Sequence, residues 1–396
     1  MKILQVVPYF PPAYTFGGPV KVVYQISREL VKRGHEVVVY TTDAKDFNSR
    51  INFSSVVEGI KVYRFKNLSL TLVKKLKLFI TPQLASSARR EVKEFDIIHL
   101  HEYRTFQNVI VYHYARKYGV PYVLQAHGSL PRIVSWKRLK WVYDVLFGYR
   151  LLRDAAKVIA LSKVEAEQYK RMGVPEEKIA IIPNGIDLSE YAVLPPKGSF
   201  KKKFGIPEDK KIILYLGRIH KIKGIDFLVK AYAYLVNEIK YKDVILVIAG
   251  PDDGYLKEIK SLACNLGVLN SIIFTGILSE KDKIAAYTDS SIVTYLGPYE
   301  PYGLVSLEAA ACRTPVVVSR GTPMSEIVNK GKFGISVKYG DIPSLSSKLF
   351  MLLSDDKLSR NLGRNGRKYI FNNFNWNKII EKYEQLYEEV IKVTTF

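Results

Sequence analysis

Two carboxylates, Glu300 and Glu308, stand eight positions apart in the stretch Gly297-Pro298-Tyr299-Glu300-Pro301-Tyr302-Gly303-Leu304-Val305-Ser306-Leu307-Glu308. The Pro and Gly between them give way to the apolar run Leu304 to Cys312, so a loop is expected to turn into a helix at about Gly303. The first amides of a helix have no partner inside it, and the helix dipole points its positive end outward. Gly303 has no side chain, which lets an anion come close to those amides. Glu300 would stand on the loop in front of that anion and Glu308 on the helix about a turn behind. A phosphate flanked on both sides by acids that can accept from hydroxyls describes a nucleotide sugar.

Two cations complete the anion reading. Arg218 and Lys223 follow an apolar run at a turn bracketed by Gly217 and Gly224. Arginine would hold a diphosphate bidentately and lysine as a point charge. Their bland alternative is two surface cations among 60 basic residues. His127 follows another apolar run and precedes Gly128; it reads equally as a general acid–base group or as a strand-end cap. His99 and His101 alternate along one strand face without a third ligand at metal spacing, and are taken as structural or substrate-near. No Asp-x-Asp occurs in the chain. No metal or other cofactor is therefore expected, with Arg218 and Lys223 neutralising a leaving diphosphate instead.

Parallel strands must position these groups. Short runs rich in β-branched residues (2–7, 35–42, 59–65, 96–101, 121–126, 158–161, 179–183) alternate with helical stretches (20–33, 105–118, 136–153, 163–172). After a Pro-, Gly- and Lys-rich linker at 191–203 the pattern restarts with runs at 212–216, 244–249, 272–275, 292–296, 315–319 and 334–337. The tail from Ile342 to about Val393 reads as helical, interrupted near Asn372-Asn373. The pattern predicts an α/β protein of two doubly wound parallel-sheet domains. A chain of 396 residues agrees with two cores. Ligands bind at the carboxyl ends of such strands, here in the cleft expected between the two sheets. The expected domains are 1–193 with the helix 375–396, and 197–374.

Composition narrows the surroundings. Apolar content of 47% and charged content of 25% suit a water-soluble globular chain. Cys264 and Cys312 read as buried thiols in a reducing compartment. The longest uncharged run, Ile3 to Val20, holds Pro8, Pro11, Pro12 and Pro19 and cannot span a membrane. A cytoplasmic location is expected. The net charge of +22 suits phosphorylated ligands, nucleic acid or an anionic membrane. Residues 61–93 carry nine Lys/Arg against Glu91, and 132–153 carry six against Asp144, with Trp136 and Trp141. Two readings stay level: helices lying on the inner face of an anionic membrane, or solvated helix faces with buried aromatics. Nucleic acid is not expected, because the aromatics are not interleaved with the cations.

An ordered set of motifs spans nearly the whole chain: Gly17-Gly18, His127-Gly128, Ser162-Lys-Val-Glu165, Ile182-Pro-Asn-Gly-Ile-Asp187, Gly217-Arg218 with Lys223-Gly224, Gly250-Pro251, Phe274-Thr-Gly276, and Glu300-x-Tyr-Gly-Leu-Val to Glu308. In this order they resemble the family-four retaining glycosyltransferases (glycosyl transferases group 1), which have the GT-B fold of two Rossmann-like domains. The resemblance implies that Glu300 and Glu308 are the two acids of an E-x7-E motif. The first engages the donor sugar near the reacting carbon and the second the ribose hydroxyls. It implies that Gly303, Leu304 and Val305 give amides to the donor, that Arg218 and Lys223 hold its diphosphate, and that Gly18 lies near the phosphates. His127 would lie near the sugar, and the last helix would cross back onto the first domain. At Gly321-Thr-Pro-Met-Ser-Glu326 the chain departs from the family pattern, so Glu326 receives no role. The implied activity is transfer of a sugar from a UDP- or GDP-linked donor to a saccharide, glycolipid or other hydroxyl acceptor, with acceptor loops in 9–18, 44–56, 66–82 and 102–108. The rivals are an epimerase of the same fold and a two-lobed binding protein without catalysis.

Overall fold

The computed structural model describes residues 1–51, 55–133, 136–300 and 302–394. Two compact units divide the chain: Met1–Gly185 together with the tail from Trp376, and Ile186–Asn375. Pro301, residues 52–54 of the expected acceptor loop, residues 134–135 of the basic stretch and the last two residues of the tail lie outside the described residues.

In the first unit the apolar runs form β1 (Lys2–Val6), β2 (Glu36–Thr42), β3 (Ser55–Val57), β4 (Ile60–Phe65), β5 (Ile97–His101), β6 (Tyr122–Gln125), β7 (Lys157–Ala160) and β8 (Ile179–Ile181). Their order across the sheet is β3-β4-β2-β1-β5-β6-β7-β8. All neighbours are parallel except β3, which pairs antiparallel with β4. The sequence reading has no counterpart for this edge hairpin. It closes on Glu58-Gly59, both at positive φ (+48° and +82°), the turn geometry a two-residue hairpin needs. Strands buried on both faces read as continuous Val/Ile/Leu runs, and Ile3, Leu4, Val6, Ile97, Ile98, Leu100, Val158 and Ile159 are buried accordingly.

The tail helix Trp376–Thr394 belongs to this unit. It buries Ile379, Ile380, Tyr383, Leu386, Tyr387 and Val390 at helical spacing. Glu384 accepts from Arg33 (2.9 Å) and contacts His35 Nε2 (2.8 Å), while the Tyr387 hydroxyl meets His99 Nδ1 at 2.7 Å. The stretch expected as one helix over 136–153 is three joined pieces, Lys137–Tyr143, a wider π-helical turn Asp144–Gly148, and Tyr149–Asp154. Gly148 sits where any Cβ would overlap the Tyr103 ring.

In the second unit β9 (Lys211–Leu216), β10 (Val244–Ala249), β11 (Ile272–Gly276), β12 (Ile292–Tyr295), β13 (Val316–Ser319) and β14 (Gly334–Val337) form an all-parallel sheet in the order β11-β10-β9-β12-β13-β14. The chain lays down β9, β10 and β11 outward in one direction, then returns to put β12 on the other side of β9. That reversal is the switch point at which open α/β sheets leave a crevice. The first sheet has its own reversal between β1 and β5. The helical tail has one more break than expected: Asp355 interrupts it and caps the helix Asp356–Asn373 by accepting from Leu358 N (2.8 Å).

Of the two cysteines expected to be buried, Cys312 is and Cys264 is not. The helix Leu256–Asn265 turns Ile259 and Ala263 inward, and Cys264, one position on, is carried to the solvent side. Among the described residues no helix is long and apolar enough to cross a membrane.

Candidate functional site

In the second unit both switch-point strands end in the residues singled out by the sequence. β9 runs into Gly217-Arg218, and β12 runs into the turn that carries Glu300. The helix Leu304–Ala311 begins at Gly303, which has φ +139°, and no described side chain caps it. A Cβ at Gly303 would stand 2.9 Å from Tyr295 Cε1. Leu304 and Val305 are therefore the first two helical residues, with amides that no helical carbonyl can take.

Glu300 is buried, and its Oε2 accepts from Lys223 Nζ at 2.8 Å and from the Tyr295 hydroxyl. Lys223 reaches it from the end of the short turn Lys221–Lys223, directly before the helix Ile225–Asn237. Burial, reinforced by the Glu300 charge, raises the Tyr295 hydroxyl well above an ordinary tyrosine, so it stays a donor. Glu308, one turn into its helix, is held separately: Oε1 lies 3.3 Å from Lys283 Nζ and Oε2 accepts from the Tyr287 hydroxyl at 2.7 Å. Lys283 also pairs with Glu280 at 2.6 Å. Burial disfavours its ammonium, but Glu308 and Glu280 outweigh that and hold its pKa above the usual lysine value. Arg218 turns toward Asp253 (2.7 Å) in a half-exposed ion pair of the weak kind. Its charge still acts on Tyr215 and Tyr295, the two rings on which Glu300 also acts. The structure thus brings Lys223, Glu300 and Tyr295 into contact, with Gly303 against the Tyr295 ring and Leu304 and Val305 following it. Glu308 is on the same helix with its own partners, and Arg218 is bonded elsewhere.

In the first unit Gly18 opens the helix Gly18–Lys32 after Gly17 (φ +97°), with Pro19 in the first turn and no described side-chain cap. His127 stands two residues past the β6 end and is buried at φ +51°. Its Nε2 lies 2.9 Å from His101 Nδ1, and His101 Nε2 lies 2.6 Å from Gln5 Oε1. Donation from His101 to the Gln5 oxygen leaves His101 Nδ1 as an acceptor for His127 Nε2–H, and the other ring nitrogen of His127 as an acceptor. Burial lowers the His127 pKa to about 3, so the ring is neutral near pH 7. Glu165 pins the turn: one oxygen accepts from Gly128 N (2.6 Å) and the other from Leu161 N (2.7 Å). The His99 and His101 rings lie side by side on the strand, tilted by 34° with centroids 3.8 Å apart. Among the described residues no group of three His, Cys, Asp or Glu is placed to hold a metal ion.

Residues 16–190 match the family described as Glycosyltransferase Family 4, and residues 196–369 match Glycosyl transferases group 1. The chain belongs to the family-four glycosyltransferases. It is 28% identical to an uncharacterized glycosyltransferase of Methanocaldococcus jannaschii, over 98% of each chain. It is 27% identical, over 95% of each, to the N-acetyl-alpha-D-glucosaminyl L-malate synthase of Bacillus anthracis. The solved structure of Anabaena HepE in complex with UDP and glucose superposes with a TM-score of 0.79 at 20% identity, covering 98% of this chain and 100% of that one. The two parallel-sheet units are those of a GT-B glycosyltransferase.

The residues that hold this glycosyltransferase's candidate groups went unmarked in the sequence. Tyr295 sits five positions before Glu300 as the last residue of a strand, where the alternation could have raised it. Lys283 and Tyr287 are spaced i, i+4 on the helix Glu280–Asp289, which puts them on one face but names no partner. His101, taken as structural or substrate-near, is the direct support of His127.

Proposed function

We propose that this glycosyltransferase moves a sugar with retained stereochemistry from a nucleoside-diphosphate sugar to a hydroxyl acceptor, without a metal. The observation that carries the reading is the pair of Lys223 with the buried Glu300 beside the uncapped start of the helix Leu304–Ala311, with Glu308 one turn further on. The UDP bound to the superposing HepE structure favours a UDP-linked donor. In this reading the bond from the anomeric carbon to the diphosphate oxygen breaks and the leaving group gathers negative charge. Lys223, Arg218 and the amides of Gly303, Leu304 and Val305 stabilise that charge. Glu300 engages the sugar next to the reacting carbon, and Glu308 accepts from the ribose hydroxyls. Neutral His127 accepts a hydrogen bond from a sugar hydroxyl instead of delivering a proton. The acceptor oxygen forms the new bond from the face the diphosphate leaves, and its proton passes to a diphosphate oxygen. No protein nucleophile is needed for retention on this route.

Thermal melting with UDP, GDP and ADP tests the donor half of the reading. A ligand at about 100 times its Kd stabilises by about 2.7 kcal/mol. For a unit the size of Ile186–Asn375 that is a rise of roughly 5–10 °C. One nucleotide, expected to be UDP, should stand out, and no rise with any of them would overturn the reading. Product analysis by NMR then separates transfer from epimerisation: a donor sugar inverted in the absence of acceptor would sink the transfer half alone.

A further inference from the structure

The helical run Lys137–Tyr143, Asp144–Gly148, Tyr149–Asp154 reverses the usual amphipathic order. Its inward stripe carries a charge: Asp144 is fully buried and accepts from Arg104 Nε and Nη2, both at 2.8 Å, and from Arg132 Nε at 2.9 Å. Gly148, Leu151 and Leu152 continue that stripe. The outward side carries Trp136, Leu139, Trp141, Val145, Leu146 and Phe147, exposed between 42% and 57%. Such a run of large apolar side chains in solvent marks an interaction surface. Three exposed cations lie among them, Lys137, Arg138 and Arg150. Among the described residues no carboxylate pairs with any of the three. Asp144, the one acid between Arg132 and Arg153, is spent on the inward ion pairs.

We infer that this face docks on an anionic lipid bilayer, with the aromatic and aliphatic side chains in the headgroup–acyl boundary and the cations on lipid phosphates. The charge pattern selects this occupant. A second copy meeting the patch across a twofold axis would bring the same cations face to face. Asp144 is buried, and Asp154, at the end of the run, is taken by Arg153 (2.9 Å) and Tyr112 (2.6 Å), so neither carboxylate of the run pairs with these cations. The docking is independent of the transfer reaction and needs neither donor nor acceptor, so it is tested on the full chain without either.

The experiment is co-sedimentation with vesicles of phosphatidylcholine alone and of phosphatidylcholine with phosphatidylglycerol, at low and high NaCl. The chain is expected to bind the anionic vesicles, to lose binding as salt rises, and to shift its tryptophan emission to the blue on binding. Each cation near the surface is worth about fivefold in partitioning, so the variant K137Q/R138Q/R150Q should bind roughly 100-fold more weakly. Trp141→Ser with Leu146→Ser should bind at least tenfold more weakly while melting like the parent, since both side chains already face water. No sedimentation with anionic vesicles, sedimentation indifferent to salt, or unchanged binding by the Trp141/Leu146 variant would each overturn the inference. So would a dimer in analytical ultracentrifugation that this variant splits.

Discussion

Glu308→Gln is the sharpest perturbation of the proposed donor site, because the structure separates its effect on binding from its effect on folding. The carboxylate is only 13% exposed and touches Lys283 and Tyr287. In the variant the amide oxygen can still accept from the Tyr287 hydroxyl, and Lys283 keeps Glu280 at 2.6 Å, so no buried charge is stranded. The expected cost in stability is that of weakening one or two charge-assisted hydrogen bonds, about 1 kcal/mol. Binding should suffer more. Two hydrogen bonds from ribose hydroxyls to a carboxylate become bonds to a neutral amide, a loss of about 1 kcal/mol each. Together that is about 2 kcal/mol, or roughly a 30-fold rise in the nucleotide Kd. Isothermal titration calorimetry with UDP on both proteins measures it, with Tyr287→Phe as a control that removes a neighbour but leaves the carboxylate. A Kd within twofold of the parent would refute the ribose role. A melting temperature lowered by more than about 10 °C would refute it differently, by showing that Glu308 serves to hold its helix together.

Two further outcomes follow from the geometry. With its pKa lowered to about 3 by burial, His127 stays neutral in the folded chain while the unfolded chain protonates it below about pH 6.5. The stability it contributes at pH 7 is therefore lost as pH falls from about 6.5 toward 3. Glu102 and Glu165, both pushed up to about 7 by burial, act with the opposite sign, so the readout is the difference in urea midpoint between parent and His127→Asn. That difference should shrink between pH 7.5 and 5, and a constant difference would contradict a neutral buried ring. Gly303→Ala places a methyl 2.9 Å from the Tyr295 ring at φ +139°, where L side chains are strained. It should destabilise the second unit by about 1–3 kcal/mol, lowering its melting temperature by roughly 3–10 °C; an unchanged melt would show that the turn relaxes freely.

The alternation of β-branched runs and helical stretches made both sheets legible, because strands buried on two faces carry an apolar signal that survives without partners. The helix start at Gly303 was legible for the same local reason, a Pro- and Gly-bearing loop meeting an apolar run. What stayed hidden was contact at long range. Nothing in the spacing joins Lys223 to Glu300, 77 positions later, or Lys283 and Tyr287 to Glu308. The same limit left Trp136 and Trp141 undecided between core and surface. Their outward aim is fixed by Arg104, which draws Asp144 inward from 40 positions away. Cys264 failed for a smaller reason: helical periodicity assigns a face only when the phase is known, and one residue is 100°.

The helix starts themselves argue that each sheet carries the same kind of device. Helices that follow β5, β7, β11 and β13 are closed by side chains, with Thr105, Ser162, Ser279 and Thr322 each accepting from an amide in the first turn. Those amides are satisfied within the protein and have nothing left to give a ligand. The helices that follow β1, β9 and β12 instead begin after Gly17, Gly224 and Gly303, with no described side chain on their first amides. These three strands lie at the points where the sheets reverse their winding. At Gly224 the reason is partly steric, since a Cβ there would stand 2.8 Å from the Leu296 carbonyl oxygen. A cap would contribute about 1 kcal/mol of stability at each start. The glycine starts after β1, β9 and β12, three of the four strands that flank the two reversals, have what an anion-binding device requires: first amides without a side-chain cap, aligned with the helix dipole, and approachable because glycine leaves room.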